Sequence, residues 1–87
     1  MTRPILRGEV FAEISAHMQD SQQRYGDFTS THEALGVALE EWEELKSAVR
    51  ANALESTREE AIDLAAVLIR LAHQCRSNQK LCKRSVK

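Results

Sequence analysis

The chain reads as an all-α protein, on three observations. Apolar residues recur at three- and four-residue intervals in three separate segments. Two of those segments open with the Ser-x-x-Glu pattern of a capped helix. One Pro and three Gly in 87 residues leave too little turn-forming material for the many short strands of an all-β fold. The expected architecture is a helical hairpin plus one helix. Residues 1–87 would form one domain whose basic tail begins at about residue 77.

The first helix is expected from about Pro4 to Arg24. Val10, Phe11, Ile14 and Met18 give it an apolar stripe,. Pro4 suits a first turn and Gly26 a left-handed stop, while Gly8 weakens the opening turns and moves the expected start toward Glu9. The second helix starts from Ser30, whose hydroxyl can accept from the Glu33 N–H while the Glu33 carboxylate reaches back. Leu35, Ala38, Leu39, Trp42, Leu45 and Val49 follow as one stripe, and the helix is expected to end near residues 50–52. The third helix is expected from a similar box, Ser56 with Glu59. From Ala61 to Ala72 it reads AIDLAAVLIRLA, apolar almost all round, and such a helix must be covered almost all round. Two companions from one chain cannot do this. A self-associating subunit follows, a homodimer or homotetramer in which further copies complete a multi-helix bundle.

Bulk charge selects no partner, since the net charge is −1. Its distribution is uneven: residues 31–63 carry nine acids against three bases, and everything after Asp63 carries six bases and no acid. No apolar run is long enough to span a membrane, and no aromatic interleaving of basic residues points to nucleic acid. Cys75 and Cys82, seven apart, form no C-x-x-C pair and read as free thiols of a cytoplasmic protein. His17, His32 and His73 are isolated in sequence and are assigned surface or cap roles.

The chemistry concentrates in two matching stretches. EEWEEL, residues 40–45, and EEAIDL, residues 59–64, are both E-E-x-x-acid-L. Positions three apart share a helix face, so Glu41 and Glu44 point together beside Val37 and Ala48. Glu60 and Asp63 point together beside Val67 and Leu71. A hairpin turning between Ala53 and Leu54 would set Glu44 level with Asp63, with Glu41 and Glu60 a turn away on either side. Glu40 and Glu43 point elsewhere and fit a solvated face. Four carboxylates in a partly dry groove repel one another, and oxygen donors of this kind suit Mg²⁺ or Mn²⁺.

The E-x-x-E of Glu41 and Glu44, followed after fifteen residues by the E-x-x-D of Glu60 and Asp63, resembles the signature of the MazG-like all-α nucleoside triphosphate pyrophosphohydrolases. The resemblance covers roughly residues 28–75. It implies that Glu41, Glu44, Glu60 and Asp63 bind Mg²⁺, with Mn²⁺ an alternative. It also implies that a (deoxy)nucleoside triphosphate is cleaved between its α and β phosphates, as in the cleansing of nucleotide pools. Either Glu41 or Glu44 is the candidate general base. Family members often carry a further helix whose Lys and Asn residues hold the phosphates. Here the nearest counterparts are Asn78, Lys80, Lys83 and Arg84, with Lys80 and Lys83 the candidate substrate contacts. Trp42 is a candidate base-stacking residue, although its place on the apolar stripe favours packing. The alternative function is a helical oligomerisation or regulatory module that keeps the fold without catalysis.

Overall fold

The computed structural model describes residues 8–77, which form three helices: α1 (Gly8–Tyr25), α2 (Thr31–Arg50) and α3 (Leu54–Ser77). There is no strand among the described residues. The expected start at Pro4 and the whole tail, including Asn78, Lys80, Lys83 and Arg84, lie outside them. α2 and α3 form the hairpin, and α1 packs on α3. No helix here is long and apolar enough to cross a membrane.

Local chemistry explains each boundary. α1 stops at Gly26, whose φ of 73° is left-handed, and the Gly26 N–H donates to Gln22 O at 2.9 Å, a one-bond helix stop. Ser30 caps α2, accepting from Glu33 N at 3.0 Å. The return half of the box differs from expectation. Glu33 Oε1 accepts from the backbone N–H of Thr29 at 2.7 Å and from its hydroxyl at 3.0 Å, one residue upstream of Ser30. These two donors hold the Glu33 carboxyl below its usual pKa.

The third helix begins two residues before the expected cap. At the end of α2, Asn52 adopts a left-handed φ of 57°. Its N–H donates to Val49 O at 3.0 Å, and the Ala53 N–H donates to Ala48 O at 3.1 Å. This Schellman pair satisfies the last carbonyls of α2 and turns the chain so tightly that α3 starts at once, with Thr57 N donating to Ala53 O at 2.8 Å. Ser56 and Glu59 therefore lie inside the helix, and their box is not formed as a cap.

The core is small. Phe28, Ala34, Ala38 and Val67 are buried together, with Val37, Leu64 and Leu71 packed against them. The expected stripe of α2 is split: Ala34, Ala38 and Ala48 face α3, whereas Leu35, Leu39, Trp42 and Val49 are exposed. Alanine is why. Small side chains allow two helices to approach closely, and the bulkier residues then face away. On α1, Ile14 and Met18 are half-buried, but Val10 and Phe11 are exposed. Two polar residues replace bulk at the far end. Gln74 pairs with both backbone groups of Phe28, accepting from its N–H at 3.0 Å and donating to its carbonyl at 2.7 Å. Arg70 lies 4.5 Å from the centre of the Phe28 ring and donates to Gly26 O at 2.8 Å. The sequence pattern marked Arg70 only as an interruption of an apolar run.

Cys75 is disulfide-bonded. The free-thiol expectation is thereby corrected for Cys75, and its argument for a reducing compartment falls.

Candidate metal centre

The two acidic stretches do converge. Glu41, Glu60 and Asp63 each offer one carboxylate oxygen, and these three oxygens lie within 4.8 Å of one another. Among the described residues this is the one such grouping of three potential ligands. Each of the three residues is half-buried. Glu41 Oε1 and Glu60 Oε1 are sealed from solvent with no hydrogen-bond partner, and an unsatisfied buried oxygen of this kind is costly.

The register of the hairpin differs from the expected one. With α2 ending at Arg50 and α3 beginning at Leu54, the turn is centred on Asn52. Glu41 and Asp63 are then equidistant from the centre, as are Glu44 and Glu60. The expected pairing of Glu44 with Asp63 rested on a turn placed beyond Ala53, which the Schellman stop displaces. Glu44 is exposed and is not one of the three clustered ligands. Its carboxyl stands within hydrogen-bond reach of Glu41 and Glu60.

Electrostatics follow from this crowding. Burial first, then the negative charges of Glu44, Asp63 and Glu60, push the Glu41 carboxyl up to about 7. Burial and the same kind of company, led by Glu44, also raise Glu60. Both shifts favour the protonated form, and among the described residues the nearby cations are engaged elsewhere. Lys46 is occupied with Glu43 at 3.1 Å, and Arg58 with Glu55 at 2.6 Å and with Glu13.

One residue that sequence reasoning missed enters the site from α1. His17 Nε2 donates to Asp63 Oδ1 at 2.8 Å. A solitary histidine 46 positions from its partner gives no spacing signal; only its place on the half-buried face of α1, with Ile14 and Met18, points inward. Trp42, by contrast, lies outside the centre. It is 45% exposed, with the Lys46 ammonium 5.8 Å from its ring centre, so core packing is not realised in the single chain.

A cavity of about 510 Å³ adjoins the acids, lined in part by His17, Glu41, Phe28, Val37 and Val67, a size suited to a small organic ligand. Glu40 also lines it, although the sequence assigned that side chain to a solvated face. The two arginines that line the cavity among the described residues are engaged, Arg24 with Asp20 at 2.9 Å and Arg70 with Gly26 O. The chain matches no protein-family model, no curated protein and no solved structure.

Proposed function

We propose that the chain is a Mg²⁺-dependent nucleoside triphosphate pyrophosphohydrolase of the MazG-like kind, releasing a nucleoside monophosphate and pyrophosphate, and that it works as a self-associated helical bundle. The observation that carries this reading is the trio Glu41, Glu60 and Asp63, with a buried, partnerless oxygen on each of the two glutamates. A bound cation would satisfy both oxygens. A hard cation suits them, because oxygen-only donor sets favour Mg²⁺ and Mn²⁺.

Glu41, Glu60 and Asp63 would hold the ion. Mg²⁺ supplies neutralisation of phosphate charge and acidification of water there. Glu44, the acid left outside the trio but within reach of two members, is better placed than Glu41 to accept the proton of the attacking water. The neighbouring cavity, with Phe28, Val37 and Val67 in its wall, would receive the nucleoside.

The engaged state of Arg24 and Arg70 favours a second reading, a non-catalytic helical module, because among the described residues the cavity presents no unpaired cation to the phosphates. One assay separates the two. Purified protein incubated with canonical and modified triphosphates and Mg²⁺ should release pyrophosphate, and EDTA should abolish the release. No turnover across the panel would leave the module reading standing, and full turnover in excess EDTA would overturn the metal assignment.

A further inference from the structure

We propose that His17 is a positioning residue of the acidic centre, fixing the Asp63 carboxylate in its ligating orientation and tying α1 to the site. The inference rests on the metal reading above and extends it to a helix that carries none of the four motif acids.

The terminal torsion of an aspartate is soft, so Asp63 needs something to set which oxygen faces Glu41 and Glu60. The 2.8 Å bond from His17 does this by engaging one oxygen. Glu41 and Glu60 each keep a sealed oxygen without a donor, whereas Asp63 Oδ1 has the His17 ring as its partner. His17 is itself steadied one turn further on, where Ser21 Oγ lies 3.4 Å from Nδ1. No His17 atom belongs to the clustered ligand set, so its role is to orient a ligand.

The placement of α1 makes this contact consequential. α1 buries no residue fully, and apolar packing alone therefore fixes its register weakly. Three polar contacts join it to α3 at successive heights: Glu13 with Arg58, His17 with Asp63, and Gln22 with Arg70 at 3.3 Å. The middle rung enters the centre, and His17 also lines the adjoining cavity together with Glu41. Partners of this kind, behind the ligands themselves, typically change metal affinity by about 10–100-fold.

The test is calorimetric titration of metal-stripped protein with Mn²⁺, comparing the parent with His17→Phe and His17→Gln, alongside metal-free melts and triphosphate hydrolysis. His17→Phe keeps a ring and deletes the donor; His17→Gln restores an N–H at similar reach. The expected result is about 10–100-fold weaker Mn²⁺ binding by the Phe variant, recovery of most of that loss by Gln, and a parent-like helical signal in both metal-free variants. His17→Ala replaces the Phe variant if the latter lacks the parent's helical signal. Parent-like Mn²⁺ affinity in the donor-less variant overturns the inference while leaving the metal reading intact, and so does an equal loss in the Gln and Phe variants. A parent protein that binds no Mn²⁺ overturns the metal reading itself, and this inference with it.

Discussion

Folding changes the chemistry of Glu41 strongly. Its carboxyl moves from 4.5 to about 7, so between those values the folded chain binds more protons than the unfolded one. Stability is then greatest on the acid side and drains away as pH rises through that window. In EDTA the protein should be more stable at pH 5 than at pH 8, by on the order of 1–2 kcal/mol once solvent screening is allowed for. Glu41→Gln should remove most of that slope and raise metal-free stability at pH 8, while abolishing the gain in melting temperature that Mn²⁺ gives the parent. Denaturant midpoints at the two pH values, with and without Mn²⁺, check this; an unchanged slope in the variant would show that Glu41 is not the titrating group. Binding of Mn²⁺ should also release protons and weaken below pH 7, since a ligating carboxylate must be ionised.

At the scale of elements, the α2–α3 turn and the α1–α2 loop set where the acids stand. Asn52 holds its left-handed conformation as the stop of α2. Asn52→Gly should be neutral or slightly stabilising, whereas Asn52→Val, with a branched side chain at positive φ, should cost about 1–2 kcal/mol. The Val variant should also weaken Mn²⁺ binding, because the turn sets the register of Glu41 against Asp63. Gln74 does comparable work for the other loop. Gln74→Leu keeps the volume but strips both Phe28 backbone groups of their partners, and a loss of about 2 kcal/mol or more is expected from two buried groups left unpaired. Thermal or urea melts of these three variants measure both effects.

At the scale of the whole molecule, the single chain is under-buried. No large side chain is fully buried among the described residues, and a chain of this length hides only a modest share of its surface. Leu35, Leu39, Trp42, Lys46 and Val49 follow one another at intervals of four, three, four and three, the spacing of a helix seam made to meet another helix. Leu39 and Trp42 are 54% and 45% exposed, and on α3 Leu68 and Ile69 are 49% and 42% exposed. Light scattering at micromolar concentration should therefore find a dimer or larger assembly, and Leu39→Glu should dissociate it. A stable, well-folded parent monomer would contradict the self-association proposed here.

Local chemistry was legible in the sequence because it is written in neighbouring residues. The all-helical class, the Gly26 and Ser30 boundaries, and the turning of the E-x-x-E and E-x-x-D acids toward one groove follow from periodicity and caps within a few positions. The tertiary structure alone determined the rest. The turn at Asn52 took precedence over the Ser56 box because backbone bonds at the end of α2 left no room for a longer connection, and this moved Glu44 from Asp63 to Glu60. His17, Arg70 and Gln74 acquired their roles from partners 44 to 48 positions away, and no short-range pattern encodes such a distance. Which apolar face of α2 meets α3 was likewise settled by packing, where alanines permit close approach and leave the leucines and Trp42 facing outward.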